Sequence, residues 1–259
     1  MTALNPANLP TRVSFSLYWL ARHCTAAGLP RRAVITEVER RTQNNQVAMI
    51  LGRFFHSVVQ AVADERGSGK SQAEAVAGAF PVVVSKYKEK YRDLNLDYEP
   101  LVQDVHETVL NHFDLGFDRA TRIDVEQELE SVDGNLFGEP DWVEFRDEQI
   151  HLVDFKLTRD AVRLNTPKNV AQIAYYSHLI MDNYGSLPGA ATIAGLRGAQ
   201  HQVATSPQEL RQVSKRASEI SERLSVAASS RLQLEDLASP ATASCFACRY
   251  RAVCEVAAR

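Results

Sequence analysis

Two acids and a lysine stand at a spacing that suits hydrolysis of a phosphate ester. Asp141 ends the run Gly138-Glu139-Pro140-Asp141, and twelve residues separate it from Asp154-Phe155-Lys156. Residues 150–157 are a short apolar run with charges at the far end, which predicts a mostly buried strand. Side chains alternate across a strand. Asp154 and Lys156 therefore share one side, about 7 Å apart along it, and Phe155 points into a core on the other. Carboxylates from Asp141 and Asp154 can hold a hard divalent cation such as Mg²⁺ through oxygen. Lys156 beside them can orient an attacking water or help deprotonate it. A metal that polarises a phosphoryl oxygen and activates water is the minimum set for cutting a phosphodiester. Asp-x-Lys at a strand edge also arises by chance, so the upstream acid and the downstream Gln172 and Tyr176 carry much of the weight. Those two lie four residues apart, on one helix face. There an amide and a phenol can position a nucleic-acid strand, and the same spacing also suits a face packed on a sheet.

A second set of reactive side chains is made of sulfur. The four cysteines are Cys24, near the start, and Cys245, Cys248 and Cys254, in a C-x2-C-x5-C run near the end. Outside an oxidising compartment such clustering favours metal over disulfide. Four thiolates complete either a zinc site or an iron–sulfur cluster. Spacing alone does not choose between them, and an unpaired, buried Cys24 is the metal-free alternative.

The elements that must position these groups follow from periodicity. Residues 123–132 alternate and predict a strand, 133–135 a turn, and 136–138 a resumed strand; 141–145 and 150–157 add two more around a turn at 146–148. Glu126 or Glu128 can reach the acids from the first strand, although alternating acids equally mark a wet strand face. Residues 169–182 predict the helix bearing Gln172 and Tyr176, 190–196 and 202–205 further strands, and 207–224 an amphipathic helix. Upstream lie predicted helices at 14–23, capped by Ser14 or Ser16, at 47–65, at 72–90, capped by Ser71, and at 101–119. The 47–65 helix has an apolar stripe through Leu51, Phe54, Phe55, Val58, Val59 and Val62, with His56 on its flank. Arg66 to Ser71 lacks a complete phosphate-loop pattern and follows a helix, so it reads as a turn. Arg159, Arg163 and Lys168 make the loop after the catalytic strand basic, which suits a phosphate clamp or ordinary loop charge.

Gly138-Glu139-Pro140-Asp141, Asp154-Phe155-Lys156 and Gln172-x-x-x-Tyr176 resemble the motifs of the RecB family of PD-(D/E)XK nucleases. Gly52-Arg53-Phe54-Phe55-His56 matches a further element of that family. One cysteine before the core and C-x2-C-x5-C after it resemble the iron staple of the CRISPR-associated Cas-four exonucleases and of AddB-type nuclease domains. Cys24-Thr25 stands where the Cas-four family often has Cys-Pro. The resemblance spans Ser14 to Cys254. It implies Asp141, Asp154 and His56 as ligands of Mg²⁺ or Mn²⁺, with the Phe155 carbonyl as a fourth, and Lys156 as the residue that orients water. It also implies Gln172 and Tyr176 as DNA contacts, to which the basic loop adds Arg159, and Cys24, Cys245, Cys248 and Cys254 as holders of a four-iron, four-sulfur (4Fe–4S) cluster. An imidazole ligand favours Mn²⁺ more than an all-oxygen set does.

The expected fold is α/β and restriction-endonuclease-like: a mixed central sheet flanked by helices, with an N-terminal helical region and a C-terminal cluster-binding tail. One domain over residues 1–259 is expected, helical over about 11–120, nuclease core over about 121–206, helix and cysteine tail over about 207–259. Apolar content of 45% and charged content of 24% are ordinary for a globular chain. Neither a membrane span nor a secretory start is visible, so the cytoplasm is the expected location. The net charge of −3 gives no global basic field, so a DNA partner requires a local basic groove. The expected activity is metal-dependent DNA cleavage, favouring single-stranded ends, in CRISPR adaptation or in DNA repair or defence. CRISPR adaptation proteins or a recombination helicase are the expected partners. The competing expectation is a catalytically idle iron–sulfur subunit that binds DNA within such a complex.

Overall fold

The computed structural model describes residues 4–21, 24–29, 43–92, 99–112, 120–230, 233–238, 248, 250 and 254. Its α-helices among the described residues are α1 (Phe15–Ala21), α2 (Thr25–Gly28), α3 (Gln43–Gly67), α4 (Gln72–Lys90), α5 (Glu99–Glu107), α6 (Ala161–Leu164), α7 (Pro167–Tyr184) and α8 (Pro207–Ser229). Its strands are β1 (Arg122–Val125), β2 (Leu129–Glu130), β3 (Phe137–Gly138), β4 (Trp142–Arg146), β5 (Gln149–Phe155), β6 (Pro188–Ala194) and β7 (Gln200–Gln202). The sheet order β1-β4-β5-β6-β7 is mixed: β5 and β6 run parallel and the other pairs antiparallel. The expected α/β architecture is therefore present.

Local chemistry explains most boundaries. Ser71 accepts from the Glu74 N–H while the Glu74 carboxylate accepts from the Ser71 N–H; Ser206 and Glu209 repeat this capping box at α8. Thr166 caps α7, Pro167 fills a first-turn position that lacks a helical N–H partner anyway, and Gly185 ends the helix at φ 74°. Asp147 and Glu148 both take positive φ (50° and 60°), which turns β4 back into β5 with the twist a two-residue hairpin needs.

Each sheet face is buried by its own helices. Val143, Leu152 and Ile193 pack with Ile173, Tyr175 and Leu179 of α7, and α8 extends this core through Val213, Ala217 and Ile220. Trp142 and Phe155 point the other way, into a core with Phe54, Phe55 and Val58 of α3 and Phe80 of α4. The period-2 alternation of β4 and β5 thus feeds two cores at once.

Three expectations change. The strand expected over 123–132 is broken: β1 stops at Val125, Glu126 turns to φ 47°, and residues 129–130 pair with β3 in a separate two-stranded sheet. Glu126 N–H donates to the Asp141 carbonyl at 3.3 Å, so the kink is fastened to the start of β4. The helix expected over 101–119 starts earlier, at Glu99, and loosens into a π-turn over Thr108–His112; residues 113–119 lie outside the described residues. The strand expected over 202–205 lies at Gln200–Gln202, set by antiparallel pairing to Thr192–Ala194. Of the C-terminal cysteines, Cys248 and Cys254 are described and Cys245 lies outside the described residues. Tyr250 donates its hydroxyl to the Leu29 carbonyl at 2.8 Å, which ties the tail to the end of α2.

Gly138 is the point where β3 touches α7. A Cβ there would lie 3.0 Å from Tyr176 Cε1 and 3.3 Å from Leu179 Cδ1. Gly138→Ala should therefore destabilise the fold by about 1–3 kcal/mol through overpacking. Thermal melting of the two proteins checks this, and an unchanged midpoint contradicts it.

Candidate active site

Antiparallel pairing sets the two acids face to face. Trp142 opposes Val153, so one step further Asp141 opposes Asp154, and directly opposed residues have Cβ atoms about 4.5–5.5 Å apart. The Phe155 N–H donates to Asp141 Oδ2 at 2.6 Å, which locks the carboxylate over the end of β5. Lys156 projects to the same side as Asp154, its Nζ 2.5 Å from Oδ2. From α3, His56 brings Nδ1 to 3.5 Å from Asp141 Oδ1 and 3.1 Å from Glu126 Oε1. The acids stand at the end of β4 and β5, with α3 on one side and α7 on the other.

Burial dominates the electrostatics. Asp154 is fully buried, and loss of solvent, with the neighbouring Asp141 charge, pushes its carboxyl up to about 7 despite Lys156. Asp141 is raised for the same first reason, desolvation, with His56 and Lys156 pulling against it. Burial works against the charged form of His56, but the Glu126 hydrogen bond and the Asp141 field outweigh it and raise its pKa. Glu126 is lowered by that same hydrogen bond. Burial raises the Tyr176 phenol, and the Asp141 charge adds to it.

These residues fit a hard divalent cation. Asp154 Oδ1 is buried with no hydrogen-bond donor among the described residues, beside a second carboxylate and an imidazole. Buried charge of this kind needs a cation or a proton. No group of three His, Cys, Asp or Glu side chains among the described residues stands as a finished metal cage. The geometry gives the reason: Asp154 leans on Lys156, and Asp141 on the Phe155 N–H and His56.

The remaining candidate residues divide. Gln172 Nε2 donates to the Tyr176 hydroxyl at 3.3 Å, so the two share one face of α7, and Tyr176 lies within the field of both acids. Arg159 is tied to an acid of α5. Its Nε donates to Asp104 Oδ2 at 2.5 Å, while its side chain stays 56% exposed. Cys254 is buried in the α7–α8 core, and Cys24 and Cys248 pack against that core. Glu126 matters more to the site than its sequence pattern suggests. The alternation of 123–132 puts it on a straight strand, and nothing local marks the kink that turns its carboxylate to His56.

The class of protein is now defined: a mixed sheet whose paired acids and lysine sit at the ends of two adjacent strands. The chain belongs to the PD-(D/E)XK nuclease superfamily, whose profile matches residues 19–255. Members of that class cut nucleic-acid phosphodiesters with divalent metals such as Mg²⁺ or Mn²⁺. A search among curated proteins found no match. Among solved structures, a candidate exonuclease from Eubacterium rectale is similar at TM-score 0.49 and 11% identity, over 87% of this chain and 84% of the other. The protein SSO0001 is similar at TM-score 0.34 and 14% identity, over 83% and 98% respectively. No helix among the described residues is long and apolar enough to cross a membrane.

A divalent cation held by these groups would displace protons. Asp154 keeps its proton until about pH 7, and the His56 proton is held above its ordinary range. Both groups bind a cation only when deprotonated. Mn²⁺ affinity should therefore fall as pH falls through about 7, by about tenfold per pH unit for each proton displaced. Calorimetric titration at pH 6 and pH 8, in buffers of differing ionisation heat, reads both affinity and proton release. Equal affinity at the two pH values contradicts the assignment.

Proposed function

We propose that this protein is a metal-dependent DNA exonuclease of the RecB type, acting on single-stranded ends. The observation that carries the reading is the opposed pair Asp141 and Asp154, with Lys156 on Asp154, at one end of the sheet. Asp141, Asp154, His56 and the Phe155 carbonyl would hold Mg²⁺ or Mn²⁺. When bound, such an ion supplies Lewis-acid polarisation of a phosphoryl oxygen and makes water a better nucleophile at neutral pH.

The chain's own groups do the positioning. Lys156 holds the attacking water by hydrogen bonding and offsets charge that builds on the phosphoryl oxygens. Gln172 and the protonated Tyr176 phenol offer neutral donors to the strand being cut. Glu126 holds the His56 ring beside the acids through a hydrogen bond to Nδ1, the nitrogen that also faces Asp141.

Cys24, Cys245, Cys248 and Cys254 would hold the 4Fe–4S cluster. The packing of Cys24, Cys248 and Cys254 against one core, with Tyr250 on Leu29, supports a staple joining the two ends of the described chain. Metal binding there would contribute to folding, because the ligands come together only in the native state. The proposed setting is the cytoplasm, within CRISPR adaptation or DNA repair, with adaptation proteins or a recombination helicase as partners. The idle-subunit reading gains no support from the site, since a pure binding module needs no lysine held against a buried acid.

Lys156→Ala should keep the circular dichroism spectrum and lower Mn²⁺-dependent cleavage of end-labelled single strands by about 10³-fold or more. Cleavage at the wild-type rate removes the active-site assignment. Anaerobically purified protein should be brown and carry about four iron atoms per chain. A colourless protein with one zinc would remove the cluster and leave the nuclease reading intact.

A further inference from the structure

Beyond the acids, the loops after β5 and β6 stay zipped together. Lys156 N–H donates to the Ala194 carbonyl at 2.8 Å, and Leu196 N–H to the Thr158 carbonyl, also at 2.8 Å. The next residue on each loop is an arginine, Arg159 and Arg197. Both converge on one carboxylate, Asp104 of α5, which is 2% exposed. Arg197 Nε donates to Asp104 Oδ1 at 2.7 Å, and Arg159 Nε to Oδ2 at 2.5 Å. The Thr108 hydroxyl donates to the Asp104 carbonyl and accepts from the Arg197 N–H, fixing the loop from below. Arg197 holds φ 54° and ψ 39°, a left-handed conformation unfavourable for any residue with a Cβ. Strain at a side chain held this firmly marks a site worth a functional reading.

We propose that Asp104 presents Arg159 and Arg197 as a two-guanidinium clamp for a backbone phosphate of single-stranded DNA within a few nucleotides of the bond being cut. The clamp deepens the proposed function and rests on it. Each arginine spends its Nε edge on Asp104, and the side chains stay 56% and 45% exposed, so their outer edges can face solvent. A guanidinium edge matches two phosphate oxygens. Glu107 Oε2, 3.5 Å from Arg197 Nε, tempers the local charge, so the clamp acts by geometry more than by net field. Three steps of chain lead from Lys156 to Arg159, a reach of at most about 10 Å, which puts the clamp within a few nucleotides of the acids. A staple that merely joined α5 to the sheet would need only one arginine and no strained backbone.

The test is binding of a fluorescent single-stranded oligonucleotide in EDTA, which stops cleavage, across a salt series. The double substitution Arg159→Gln with Arg197→Gln should raise Kd at least tenfold at fixed salt. It should also flatten the slope of log K against log salt by about 0.7 for each phosphate that is no longer neutralised. The Arg159→Lys, Arg197→Lys pair should restore the slope but only part of the affinity, since lysine lacks the fork. If the glutamine pair does not fold, Arg197→Gly gives the same readout, because glycine accepts the left-handed backbone. A wild-type slope in the glutamine pair overturns the clamp while the wild-type protein still cleaves DNA. A wild-type protein that neither binds nor cleaves DNA overturns the clamp and the nuclease reading together.

Discussion

The structure depends on two carboxylates forced together out of water. Directly opposed on adjacent strands, Asp141 and Asp154 would repel strongly in a buried setting if both were ionised. The fold tolerates them because the Lys156 ammonium leans in from the end of β5 and His56, whose charged form the neighbouring acids favour, leans in from α3, and because burial holds a proton on Asp154 up to about pH 7. An ion of charge two would take over the same role. The arrangement costs stability as built, and a chain that only needed a sheet would have placed apolar side chains there.

Most of the surrounding architecture can be understood as holding that pair still. Trp142 and Phe155, neighbours of the two acids, are buried in the α3–α4 core at 0% and 2% exposure. Asp141 and Asp154, one step along each strand, must then face the other side, toward α7. Gly138 lets β3 approach α7 closely enough to set Tyr176 beside the acids. Gly195 does similar work between the loops: a Cβ there would fall on the Thr158 carbonyl oxygen and 3.1 Å from Ala199 Cβ. Rigid packing on both faces fixes the two carboxylates side by side, which loops alone would do poorly.

The strand with Asp154 and Lys156, the helix with Gln172 and Tyr176, and the helix with His56 are all legible in the sequence, because each is periodic over many residues. Boundaries set by capping chemistry are legible too, such as Ser71 with Glu74. The break after Val125 is not. Val125 to Leu129 alternates as a strand should, and only the hydrogen bond from Glu126 N–H to the Asp141 carbonyl, with the His56 contact, makes a left-handed residue tolerable there. The pairing of Arg159 with Asp104, 55 residues earlier in the chain, is equally invisible.

From the residue order alone came the chemistry: which groups can bind a cation, carry a proton or hold sulfur-bound metal, and which run of residues must be strand or helix. Those properties reside in side-chain type and in periods of two or 3.6 residues. Tertiary structure alone decided which acids meet. The register of β4 on β5 sets Asp141 against Asp154, the kink at Glu126 supplies a partner for His56, and Asp104 gathers two arginines from separate loops. Such contacts join residues far apart in the chain, and their energies depend on burial, which no local pattern of residues encodes.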